Sequence, residues 1–180
     1  MTRSTSSSIA LATLAGAFVF ASVHAEDKAF KAVLVGTQEV PAVSTTGHGG
    51  FALRLSPDGA ALHYQLVYDG LEGDVTQAHI HVGQKDVNGG ISAFLCSNLG
   101  NGPAGTQPCP APPASISGII TASEVVGPEA QGVAAGEFDE LVRAIRRGVA
   151  YANVHSSKFP GGEVRSQLDR VPVPVSKHHD

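Results

Sequence analysis

Gln77-Ala78-His79-Ile80-His81-Val82-Gly83 is the stretch around which the chain is organised. In a β-strand successive side chains point to opposite faces, so Ala78, Ile80 and Val82 make an apolar row while His79 and His81 project together on the other side. Far down the chain, Val149-Ala150-Tyr151-Ala152-Asn153-Val154-His155 repeats the design. Ala150, Ala152 and Val154 form its inward row, and His155 falls on the outward one. If the two segments are sheet neighbours, three imidazoles converge on one surface.

Around these segments the chain reads as short strands separated by turns. Ala29 to Val35 alternates weakly and predicts a first strand. Thr37 to Gly50 reads as loop. Phe51, Leu53 and Leu55 alternate with polar or small residues, and Ser56-Pro57-Asp58-Gly59 has Pro and Gly where a β-turn wants them. Leu62, Tyr64, Leu66 and Tyr68 then alternate in turn, which makes this pair a hairpin. Ile91 to Leu95, Ser115 to Thr121 and Glu163 to Leu168 are further strands. One helix is expected: Phe138, Leu141, Val142 and Ile145 fall at i, i+3, i+4 and i+7. Acids crowd its first turn, arginines its last, and Gly148 follows as a left-handed cap. The arginines therefore read as helix stabilisation. Val and Pro alternate after Asp169, so 169–180 is expected to be a disordered tail.

The N-terminus is read differently. Arg3, the apolar run Ile9 to Ala21 and the small-x-small site Val23-His24-Ala25 have the pattern of a secretory signal peptide over 1–25, too short for a membrane span. The domain proper is then 26–168. Without Arg3 the basic count is 11 against 16 acids, a net −5, which disfavours nucleic acid or an anionic membrane as partner. Cys96 and Cys109 are the only cysteines. In an oxidising compartment they would pair, contributing about 2–3 kcal/mol, with two free thiols as the alternative. The product is expected to be periplasmic or secreted.

With those residues laid out, the chain resembles the CHRD domain family, named from chordin and common in bacterial exported proteins. The matching pieces are Thr76 to Gly83, Phe94-Leu95-Cys96, Ser117-Gly118-Ile119-Ile120-Thr121, Ala150 to Ser156 and Phe159-Pro160-Gly161-Gly162-Glu163-Val164-Arg165. Ser166 stands where the family pattern usually has Gly. A more distant likeness is to copper/zinc superoxide dismutase, through Gly70-Leu71-Glu72-Gly73 leading into His79-Ile80-His81-Val82-Gly83, and through Val154-His155. It implies an all-β, antiparallel Greek-key β-sandwich with copper on the outer face. No histidine lies between Gly83 and Ser115, so that enzyme's bridging imidazole and zinc ligands have no counterpart. Arg165 falls loosely where its substrate-guiding arginine would lie.

The candidate metal ligands are His79, His81 and His155, shielded by the disulfide-tied loop after Gly83. Three neutral imidazoles without thiolate suit copper or zinc, copper binding the more tightly for a given set of nitrogen donors. A fourth position would be left to water. His63 is a possible accessory ligand, although its parity makes it a solvated strand histidine; His48 is a weaker one. Arg165 is the other possible accessory, with a cross-strand ion pair to Glu163 as the plainer reading. No catalytic residue or organic cofactor site stands out. Three functions follow: an exported copper-binding domain for storage, delivery or redox protection; an extracellular protein-interaction module with structural histidines; or a copper oxidoreductase like superoxide dismutase. Oligomeric state is not legible.

Overall fold

The computed structural model describes residues 28–172. The expected signal peptide and residues 173–180 lie outside that range. Among the described residues nine strands form one antiparallel sheet that curls into a flattened near-barrel: β1 Ala29–Val35, β2 His48–Leu55, β3 Leu62–Asp69, β4 Val75–Val82, β5 Gly90–Ser97, β6 Ala114–Ile120, β7 Ala150–Ser156, β8 Val164–Gln167 and β9 Asp169–Arg170. Hydrogen-bonded order is β5-β4-β7-β8-β1-β2-β3-β6, with β9 added to β1. After the β4–β5 hairpin and β6, the chain returns to lay β7 beside β4, which is a Greek-key connection. The all-β sandwich expectation holds, the two halves of the sandwich being joined through β8 and β1.

Alternation decides which side is inside. Phe51, Leu53 and Leu55 of β2, Leu62, Tyr64, Leu66 and Tyr68 of β3, and Ala78, Ile80 and Val82 of β4 are all buried in one apolar core. Each fully buried Leu or Ile there contributes about 2 kcal/mol relative to exposure. Helix α1, Phe138–Arg146, fills the β6–β7 connection and adds Phe138, Leu141, Val142 and Ile145 to that core. It ends as expected, with Gly148 left-handed at φ +70°.

The strands depart from expectation at two ends. β2 begins at His48, three residues before Phe51. Pairing with β1 on one side and β3 on the other carries the strand through Gly49 and Gly50 despite their poor strand propensity. At the C-terminus, Asp169 and Arg170 are not tail but a short strand opposite Lys31 and Phe30. Backbone pairing holds them in place where side-chain pattern gave no sign of it.

The cysteines are joined, Cys96 to Cys109, at an S–S distance of 2.01 Å. The loop they close touches the histidine-bearing strand β4 through Asn101, which donates to Gln77 Oε1 (3.1 Å). It sits at the seam where β5 and β6 fail to pair. There the Gln107 side chain donates to Leu95 O of β5 (3.3 Å) and to Ser117 O of β6 (3.1 Å), and Tyr64 Oη donates to the same Leu95 carbonyl (2.8 Å). The disulfide thus fixes a side-chain substitute for the missing ladder.

Candidate metal centre

Both histidine-bearing strands are interior to the sheet, and they are neighbours. β4 pairs with β7 so that Gln77 faces His155, His79 faces Asn153 and His81 faces Tyr151. The parity that buries Ala78 and Ile80 in the core sends His79 and His81 to the opposite face, and His155 joins them there. That face is not solvated. His79, His81 and His155 are 0%, 7% and 6% exposed. Phe94 of β5 meets the His79 ring edge-on at 4.5 Å, and Tyr151 stacks on His81 at 4.7 Å, 3° from parallel.

The hydrogen bonds of the three rings assign their tautomers. His155 Nδ1 is 3.0 Å from Pro160 O, and His81 Nδ1 is 2.9 Å from Gly89 O. A carbonyl only accepts, so both rings carry their proton on Nδ1 and keep a lone pair on Nε2. His79 Nδ1 is 3.2 Å from His155 Nε2 and donates to it, which leaves the third lone pair on His79 Nε2. The Nε2 atoms of His79 and His81 are buried and no hydrogen bond of normal length reaches them, although the Asn153 side chain bears on the His81 ring. Carbonyls that fix the far nitrogen are the usual outer support of an imidazole ligand.

Burial also keeps the rings uncharged. It lowers the His79 imidazole to about 2, with His155 and His81 adding to the effect, and lowers His81 to about 4. His155 is lowered as well, again chiefly by burial. One ring nitrogen from each histidine can be chosen so that all three lie within 4.8 Å of one another. With metal–nitrogen bonds of about 2.0–2.1 Å, two donors on one ion stand at most about 4.2 Å apart. Three donors at trigonal or tetrahedral angles stand only about 3.3–3.6 Å apart, so the widest pair would close by roughly 1.2–1.5 Å around copper or zinc. Orphaned nitrogen lone pairs, neutral rings and supported tautomers fit such an ion.

Residues beyond the histidines complete the face. Tyr151 and Asn153 share the parity of His155, so their presence was legible in the strand pattern although the histidines alone drew notice. The Asn153 side-chain amide reaches His155 Nε2 at 3.1 Å, and because that nitrogen carries no proton the amide meets it with its NH2. Arg165, 2% exposed, places its Cζ 3.4 Å from the Tyr151 ring centroid and donates to Val87 O (2.8 Å) and Asn88 Oδ1 (3.0 Å). The expected ion pair of Arg165 with Glu163 does not form. Glu163 instead accepts from Thr45 Oγ1 (2.6 Å) and the backbone N–H of Glu72 (2.7 Å), tying two loops to the start of β8. The carboxylate that feels Arg165 is Glu39, which nothing in its loop sequence marked. Burial pushes it up to about 7 against the pull of the guanidinium.

His63 and His48 stay out of the cluster. His63 is exposed on β3, opposite Arg54 and Ile119 on the far half of the sheet. His48 is exposed and its Nδ1 bonds Thr46 O. Among the described residues no helix is long and apolar enough to cross a membrane.

Neither a curated protein nor a solved structure matches the chain significantly. One family model does, that of the CHRD domain, over residues 30–168. That span runs from the second residue of β1 to the core residue Leu168 and encloses every histidine of the cluster together with both cysteines. The chain belongs to the CHRD-domain family.

Proposed function

We propose that this CHRD-domain protein is exported and binds copper through His79, His81 and His155, for storage, delivery or redox protection. The observation that carries the reading is the pair of buried Nε2 atoms on His79 and His81 that no hydrogen bond satisfies. Leaving a buried polar atom unpaired costs about 1–3 kcal/mol, and an ion shared with His155 would remove that cost. Copper is preferred to zinc because it binds a given set of nitrogen donors more tightly. Binding is preferred to turnover because a substrate would have to reach nitrogen atoms with almost no exposed area. Export rests on the disulfide, which persists in oxidising compartments, and on the N-terminal pattern.

Metal analysis and paramagnetic resonance on the mature chain test the reading. Stoichiometric copper, lost in the His79→Ala/His81→Ala variant, is the expected result. A folded mature chain that takes up no metal ends it. A superoxide-consumption assay on the metal-loaded protein separates binding from dismutation. One observation favours a second reading, an extracellular interaction module: Val33 and Val67 are exposed on either side of Gly50 in one cross-strand row. Such a module keeps its fold and its partner with all three histidines replaced.

A further inference from the structure

We propose that the three-histidine site holds monovalent copper in preference to divalent ions, and that the charge of Arg165 sets this preference. The inference rests on the metal reading above and adds to it the charge state of the ion. The donors are three neutral imidazoles, and among the described residues no carboxylate joins their cluster. Moving an ion out of water costs in proportion to the square of its charge, so a divalent ion pays roughly four times what a monovalent one does in the same buried site. Only attraction to nearby negative charge would offset that difference.

The charge nearby has the opposite sign. Strand β7 lies between β4 and β8, so Tyr151 has the His81 ring on one side and the Arg165 guanidinium on the other. Arg165 is buried, its hydrogen bonds go to neutral acceptors, and neither ion pair among the described residues includes it. Only the Tyr151 ring separates its charge from His81. Glu163 is turned toward Thr45 and the backbone of Glu72, and burial pushes Glu39 up to about 7, so it is uncharged only below that pH.

Coordination number points the same way. Zinc sites are almost always four-coordinate, and Cu(II) favours tetragonal geometry. Two of the donor nitrogens here are enclosed with almost no exposed area, which leaves little approach for a water ligand. A filled-shell monovalent copper is satisfied by three neutral nitrogens.

The experiment is an anaerobic competition of the mature chain against colorimetric chelators, with Cu(I) under ascorbate, Cu(II) and Zn(II) in parallel. Cu(I) held at least about 100-fold more tightly than Zn(II), in a form silent to paramagnetic resonance, is the expected result. Zn(II) or Cu(II) held as tightly as Cu(I) overturns the inference and leaves the three-histidine site standing. No binding of any of the three ions overturns both. Arg165→Gln removes the charge and Arg165→Lys keeps it. The ratio of Zn(II) to Cu(I) affinity should rise on the order of tenfold in R165Q, the effect of one charge about 10 Å away at an effective dielectric of about 20. It should hold within about threefold in R165K. Equal ratios in the two folded variants overturn the part given to Arg165; if R165Q does not fold, the unchanged ratio expected of R165K and the wild-type competition decide.

Discussion

His79 and His155, 76 residues apart in the chain, face each other nitrogen to nitrogen at 3.2 Å between Nδ1 and Nε2. Two imidazoles this close cannot both take a proton, and burial opposes even one. The apo protein should therefore lose stability as pH falls. The native pKa values lie below the unfolded value of 6.5, so the unfolded chain binds more protons below that point. The stabilisation is complete above pH 6.5 and shrinks as pH drops toward about 4 for His81 and further for His79. Each histidine accounts for up to about 1.4 kcal/mol per pH unit inside its window. Urea melts of the apo protein should show the midpoint falling between pH 7.5 and pH 5, with a flatter profile in His79→Gln. An equally steep profile in that variant would place the acid sensitivity elsewhere.

Glu39 works with the reverse sign. Its folded value of about 7 lies above the ordinary 4.5, so the stability tied to its protonated form is present below pH 4.5 and is lost as pH rises through 7. Between pH 4.5 and 6.5 it offsets part of the histidine effect. Glu39→Gln should consequently gain stability over the wild type at pH 8 and show little gain at pH 4.5. A uniform change at both values, read from the same melts, would mean that packing and not ionisation governs this side chain.

The Gly89 carbonyl is the acceptor that orients His81, and Gly89 has no room for a side chain. A Cβ there would lie 1.7 Å from Val82 O. Gly89→Ala must shift the β4–β5 turn and with it the hydrogen bond to His81 Nδ1. Outer-shell changes of this kind typically cost 10–100-fold in metal affinity. Copper titration of Gly89→Ala should show such a loss. Unchanged affinity in the folded variant would remove Gly89 from the support of the site.

The alternation of Ala78, Ile80 and Val82 with His79 and His81 was enough to set the strand, its face and, with His155, the meeting of three rings. The same alternation in β2 and β3 gave their hairpin. What alternation cannot report is whether the face turned away from the core is wet or covered. Here the covering comes from Phe94, Tyr151 and the turn before Gly90, and from Arg165, whose partners Val87 and Asn88 lie 78 and 77 residues away. Glu39 belongs to a loop with no periodicity, so its burial beside Arg165 depends wholly on tertiary packing. The pairing of Asp169 and Arg170 with β1 likewise depends on backbone hydrogen bonds that carry no side-chain signature. His63 shows the converse: its parity placed it outside, and it is outside.

The Cys96–Cys109 bridge has a role that spacing alone did not suggest, because the segment it closes plugs the gap between β5 and β6. Two effects separate on mutation. Cys96→Ser/Cys109→Ser frees a loop of 13-residue separation and should cost about 2–3 kcal/mol by the chain-entropy argument. Gln107→Ala keeps the bridge and loses the hydrogen bonds to Leu95 O and Ser117 O, leaving Leu95 O to Tyr64 Oη and Ser117 O to water, for about 1–2 kcal/mol. Amide hydrogen exchange should then report opening confined to β5 and β6 in Gln107→Ala, and to those strands plus the loop in the double serine variant. Copper affinity should stay within about threefold in both, since β4 and β7 hold the histidines through their own ladder. Faster exchange that begins in β4 and β7 would show that the seam and the metal centre open together.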